Sequence, residues 1–486
     1  MELTFIGMIQ AAIGMAIVLG GSVRGAYVFL LISALFDGSA AIALPALGGS
    51  SIPPVQFALL FTTLRIIAPR GGYLAFLPEA IRANKWIVFF AIYGMVSAYL
   101  APRLFAGAMG VFPMRPDPSM GPFDTVPLEP SSQNVTGAFY MAGALLLAIS
   151  SYILCRIPRG GQALVIAVLA GAWLHIVAGV IDLVTRGTPA EIILSAFRNG
   201  GYTPLDLSVS GFIRIRGVLP EASSYAGIGF ALMLVTAELW FRSIRPRATG
   251  IAAAMLAMLL VISTASTAYV ALAAYVAFFA LRSILLPIYA PPGKIVRALA
   301  LAFAMVCAIC ILMALVPRLP QGIYELIAQM TVDKSSSDSG QQRLFWAMQG
   351  WDAFFASYGL GIGPGSFRSS SMLTAIMGSM GAVGIVTFVM YLKSVFLFAR
   401  RSTWGIGNDD AQSIGGACAT AALIGLVPAA VASPHAVPMA LFSIFAGAAI
   451  ALRRINQPSP ELDSGVAERR PFHWPPLPAH VGVSPL

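Results

Sequence analysis

Charge is scarce in this chain: of 486 residues only 10% are Asp, Glu, Lys or Arg, against 58% hydrophobic. A soluble fold of that length cannot bury so much apolar surface, which excludes a water-soluble globular protein. Cysteine is also rare. Cys155, Cys307, Cys310 and Cys418 all fall in or beside apolar runs, so no disulfide framework is expected. Cys307 and Cys310 form a CxxC in mid-span, where packing is the expected role. The four histidines, His175, His435, His473 and His480, are scattered, and their spacing offers no metal site. No internal repeat is visible. The first run, Leu3 to Gly20, lacks a basic leader and an obvious cleavage site and reads as a retained span.

What is abundant is long apolar runs. A membrane-spanning helix needs roughly 20 largely apolar residues, and such runs recur to Leu452. Spans are expected near 3–20, 26–47, 55–68, 86–101, 137–154, 163–183, 223–241, 250–264, 267–284, 298–316, 372–399, 412–431 and 437–452. The runs are too long and too uniform for the alternating strands of a membrane barrel. The expected fold is an all-α polytopic membrane protein of about 12–13 transmembrane helices, with long periplasmic loops carrying short amphipathic helices.

The net charge of +10 does not point to nucleic acid, because most basic residues flank the spans. Loops with Arg70, Arg82 and Lys85, with Arg156 and Arg159, with Arg242, Arg245 and Arg247, with Lys294 and Arg297, and with Arg400 and Arg401 alternate with the others. By the positive-inside rule they face the cytoplasm. The opposite side then receives three long connections, about 102–136, 184–222 and 317–371. The first is rich in proline and glycine and reads as irregular. The others hold amphipathic pieces, Ala190 to Arg198 and Gln342 to Phe355, suited to a membrane surface. Residues 1–454 read as a single transmembrane helical domain, and 455–486 as a disordered, proline-rich cytoplasmic tail.

Candidate chemistry concentrates in two of the outer connections. The segment IRIRGVLPEASSY, Ile213 to Tyr225, sets Arg214, Arg216 and Glu221 before a span. Guanidinium groups offer paired donors to anionic oxygens and stay charged, so such a pair can clamp a phosphate or diphosphate. The plainer alternative is a juxtamembrane salt bridge from Glu221 to Arg214 or Arg216. In the other connection Arg343, Trp346 and Trp351 precede GLGIGPGSFR, Gly359 to Arg368. Glycines there can bring backbone N–H groups to an anion or sugar, or simply form a turn into the next span. The tryptophans are expected chiefly as interfacial anchors. Asp37, Asp182 and Glu238 lie in or near spans and are the groups a proton-coupled transporter would use; snorkelling or local pairing is the expected role.

RIRGVLPEASSYAGIG, the STAST reversal at 263–267, QQRLFWAMQGW and GLGIGPGSFR, in that order around two outer loops, resemble the bacterial O-antigen ligase and polymerase superfamily, most closely its exopolysaccharide-polymerase branch. The resemblance covers roughly Phe212 to Gly384. It implies a glycosyltransferase of the bacterial inner membrane whose site faces the periplasm and acts on polyprenyl-diphosphate-linked oligosaccharide. It also implies Arg214, Arg216 and Arg343 as the diphosphate-binding arginines, with Glu221 orienting an arginine or accepting the acceptor proton. Tyr225, Gly363, Gly365, Ser366 and Arg368 are the expected substrate-binding positions. No metal or other cofactor is implied; membrane lipid, a flippase and a chain-length regulator are the implied partners. Ligases of this superfamily carry a histidine soon after the glycine-rich segment, whereas RSSSMLTAIMGSMG stands here, which favours polymerisation over ligation. A lipid-linked-sugar transporter is the reading from another class. Transporters commonly show repeated halves and mid-membrane polar groups, whereas this chain gathers its charge in outer loops.

Overall fold

A computed structural model of the chain describes residues 2–45, 49–69, 71–117, 119–200, 214–289, 292–315, 338–397 and 401–453. The tail 455–486, the start of the connection 317–371 and much of the connection 184–222 therefore lie outside the described residues. The protein is an all-α polytopic membrane protein, as expected. Among the described residues seven helices are long and apolar enough to cross a membrane: Lys85–Leu104, Ser132–Arg156, Gly160–Thr185, Ala222–Phe241, Ser266–Leu285, Met372–Val395 and Asp410–Ala432. Five shorter apolar helices accompany them: Phe5–Gly20, Val23–Ser33, Pro54–Ile67, Pro246–Ile262 and Ala440–Leu452.

The run 26–47 departs from its expected single span. Its helix stops at Ser33, and Ile42–Leu44 is instead a strand, antiparallel to Glu2–Leu3 on one side and to Ser50–Ile52 on the other. The break falls at Asp37-Gly38-Ser39. Gly38 backs so closely onto Pro220 that a Cβ there would sit 2.4 Å from the proline Cδ.

The Ala222–Phe241 helix is the axis of the bundle and is buried along most of its length. It packs on Gly160–Thr185, Pro246–Ile262, Ser266–Leu285 and Asp410–Ile424. Helix pairs elsewhere approach through small residues. Gly447 lies against the Ala148 carbonyl, where a Cβ would stand 2.2 Å from the oxygen. Tyr27, Ser151 and the Ile444 carbonyl then form a buried hydrogen-bond chain across three helices, of 2.6 and 2.7 Å. Such small-residue contacts and interhelical hydrogen bonds replace the hydrophobic drive that lipid cannot supply.

Charge inside the bundle is paired. The buried Glu238 carboxylate meets the Arg242 guanidinium on its own helix and Arg282 of the next-but-one helix at 2.9 Å, and accepts from the Tyr275 hydroxyl at 3.0 Å. Local pairing, expected for Asp182 and Glu238, is what both make. The connection 102–136 is more regular than its proline content implies. Gly110–Val111 pairs with Val126–Pro127, and Val111 and Leu128 close a small apolar cluster with Ala353, Ile362 and Phe367.

Candidate functional site

The Gly160–Thr185 helix ends, and the Ala222–Phe241, Met372–Val395 and Ala440–Leu452 helices begin, at one face of the bundle. Their other termini carry Arg159, Arg242, Lys393 and Arg453, so the basic loops gather at the far end.

At the first face the segment 214–221 is held by a carboxylate. Asp182 Oδ2 accepts the Arg216 backbone N–H at 2.7 Å and pairs with Arg186 at 2.8 Å, while its Oδ1 pairs with Arg198 at 2.7 Å. Arg198 Nε in turn donates to the Gly217 carbonyl at 3.1 Å. Gly217 adopts φ of 57°, the left-handed region that glycine enters at little cost. Ile215 is fully buried, and the flanking Arg214 and Arg216 both reach a small recess. Arg186, Arg343, Glu221 and Ser223 complete its polar wall.

Arg343 comes from a different element, the helix Asp338–Ala356. Leu344, Met348, Trp351 and Phe355 form an exposed apolar stripe along that helix, while Gln349 and Ala353 are buried. The expected amphipathic helix is therefore present, and its polar side turns Arg343 to the recess. Ser370 fixes the helix by donating to the Arg343 carbonyl at 2.6 Å.

A second, larger recess adjoins the first and shares Glu221, Ser223 and Arg343 with it. Asp37, Trp346, Arg368 and His435 also line it. Arg368 stacks 4.6 Å from the Trp346 ring centre, giving the tryptophan a role beyond interfacial anchoring.

Electrostatics in the smaller recess are unbalanced. Arg216 and Arg186 have carboxylate partners, Arg216 through Glu191 at 3.4 Å. Among the described residues no group accepts a hydrogen bond from the Arg214 or Arg343 guanidinium, and Arg214 Nε is buried without a partner. Burial, then the Arg343 charge, hold the Arg214 guanidinium below its usual range, and Glu221 acts against both. The salt bridge weighed for Glu221 is thus replaced: Arg216 turns to Glu191, and Glu221 accepts from the Ser223 hydroxyl at 2.9 Å. Two unsatisfied guanidiniums facing a polar hollow are suited to an anion with several oxygens.

Arg214, Arg216, Arg343, Glu221 and Arg368, chosen from sequence, all line these recesses. Tyr225, Gly363, Gly365 and Ser366 line neither recess. Tyr225 is buried, stacked on His175 with ring centres 4.1 Å apart, and donates to the His175 carbonyl. Gly363 and Gly365, at φ of 94° and 88°, press against neighbouring backbone, where a Cβ would lie 2.7 Å from Ser97 O and 2.2 Å from Gln133 O. Ser366 is consumed by Ile362 O at 2.8 Å and Asn134 Nδ2 at 2.9 Å. The glycine-rich stretch is a buckle between helices. Arg186 and His435 were not singled out from sequence, and Asp37 was read only as a span-end acid. Asp182 and Arg186, four apart on one helix, carried a visible pairing signal; His435 carried none.

No protein-family model matches the chain, and no curated protein matches it either.

Proposed function

We propose that the chain is a membrane glycosyltransferase that polymerises polyprenyl-diphosphate-linked oligosaccharide repeats. The supporting observation is the meeting of Arg214 and Arg216 with Arg343, from two separate segments, around one hollow in which no described residue accepts a hydrogen bond from the Arg214 or Arg343 guanidinium. The donor diphosphate would occupy the smaller recess. As its bond to the sugar breaks, negative charge grows on the leaving oxygens, and guanidiniums already fixed there stabilise that charge more than the ground state. Asp182 keeps Arg216 in place beforehand, so little reorganisation accompanies the step.

The basic loops at the far end of the helices support, by the positive-inside rule, a reading in which that end is cytoplasmic and the recesses open to the periplasm of a bacterial inner membrane. The larger recess opens beside the smaller one and can take the sugars of a second lipid-linked repeat. A transporter would need its buried acids for coupling, yet Asp182 and Glu238 are each bound by two arginines.

The test is incubation of purified protein with a lipid-linked repeat. A ladder of elongated products supports the reading. Translocation in liposomes without chain growth overturns it in favour of transport, and transfer of a single glycan to a lipid or protein acceptor overturns it in favour of a ligase.

A further inference from the structure

The larger recess contains a carboxylate that diphosphate binding leaves unused. Asp37 follows the shortened Val23–Ser33 helix, in the turn where the expected span breaks. Its side chain is exposed to the recess, and among the described residues no group hydrogen-bonds or ion-pairs with it. The backbone beside it is clamped nonetheless. Gly38 O accepts from Gly200 N at 3.2 Å, Ala40 N donates to Asn199 Oδ1 at 2.8 Å, and Ser39 bonds to the Phe197 carbonyl. Gly38 also abuts Pro220, one residue before Glu221. A rigid mount and an uncommitted carboxylate at the edge of the arginine site are what a proton acceptor requires.

Resting on the glycosyltransferase reading, we propose that Asp37 accepts the proton of the acceptor sugar hydroxyl in the larger recess. The acceptor oxygen bonds to the anomeric carbon of the donor chain. The bond from that carbon to the diphosphate oxygen breaks, and its electron pair leaves with the diphosphate into the arginine-lined recess. The hydroxyl proton passes to an Asp37 oxygen and then to water.

The competing groups are less suited. Glu221 already accepts from Ser223 and supplies the counter-charge at the Arg214 and Arg343 wall. His435 has a buried, unpartnered Nδ1, and burial together with the Arg368 charge keeps its imidazole a weak base. Partial desolvation by the surrounding protein raises the Asp37 carboxyl above the usual aspartate range, which strengthens it as a base.

The experiment measures chain growth against pH with a synthetic polyprenyl-diphosphate-linked repeat. Wild type is compared with Asp37→Asn, Asp37→Glu and His435→Gln, and undecaprenyl diphosphate binding is followed separately by thermal shift. Asp37→Asn is expected to lower kcat by about 10²- to 10³-fold while binding the diphosphate as wild type does. Asp37→Glu is expected to restore part of the rate. The acid limb of the wild-type profile is expected above about pH 4 and should disappear from the residual activity of Asp37→Asn. Glu221, Arg343, Arg368 and His435 are the other charged or titratable groups in this recess, so an acid limb retained in Asp37→Asn and lost in His435→Gln overturns the proposal. So does near-wild-type elongation by Asp37→Asn, or an equal loss of diphosphate binding. A wild-type protein that builds no chains instead sinks the parent reading, and this one with it.

Discussion

Asp182 and Arg216 are joined through the backbone: the Asp182 carboxylate accepts the Arg216 N–H at 2.7 Å, leaving the Arg216 guanidinium to reach the recess. The same carboxylate binds Arg186 and Arg198, so one buried acid sets the position of three arginines.

Asp182→Asn should therefore disable the site without touching ligand. Loss of a charge buried between two guanidiniums costs about 3–5 kcal/mol. The expected outcome is a lower melting temperature in detergent together with weakened diphosphate binding. Unchanged stability would contradict the assigned network.

Arg214→Ala should behave oppositely. Its guanidinium is crowded by Arg343 and offset only by Glu221, so its removal relieves repulsion in the ligand-free protein. We expect a melting temperature equal to or above that of wild type, with undecaprenyl diphosphate binding weakened about 10- to 100-fold, equivalent to one or two charged hydrogen bonds. Arg343→Lys should also weaken binding, because an ammonium cannot reproduce the paired donors. Isothermal titration on both variants checks this.

Gly361→Ala and Gly363→Ala should lower stability rather than substrate affinity. Gly361 has φ of 87° and a Cβ site 2.4 Å from the Ser379 carbonyl carbon; Gly363 is comparably confined. Alanine at positive φ is strained even without the clash. Poor yield and early melting, with normal diphosphate binding by the protein that folds, are expected. A selective loss of binding would return these glycines to the substrate.

Acid stability should depend on His435. Burial, with the Arg368 charge, holds its imidazole below the ordinary histidine range in the folded chain. A depressed histidine pKa means the unfolded chain binds the proton first, so this contribution is complete above about pH 6.5 and is lost as pH falls below it. His435→Gln should flatten the decline in melting temperature between about pH 6.5 and pH 5. An equal decline in both proteins would refute this.

The membrane class, most helix positions and the arginines were readable because each depends on local composition. Apolar runs of spanning length admit few structures, and Arg214, Arg216 and Arg343 stand out in a chain with so little charge. The break at Asp37 was not anticipated from the apolar run, and the Pro220 that Gly38 packs against there is distant in sequence. The glycine-rich stretch was ambiguous for a related reason. Positive-φ glycines serve an anion or a close helix contact equally well, and only the carbonyls of Ser97 and Gln133 resolve which.

Sequence alone determined that this chain lives in a bilayer and which of its residues are too costly to bury unpaired. Tertiary structure decided the pairing: Asp182 and Glu191 hold Arg216, no described residue satisfies Arg214 or Arg343, and Asp37 is carried to their side. The reason is physical. Desolvation is a property of a residue and its neighbours in the chain, whereas charge compensation depends on distances across the fold that no local pattern encodes.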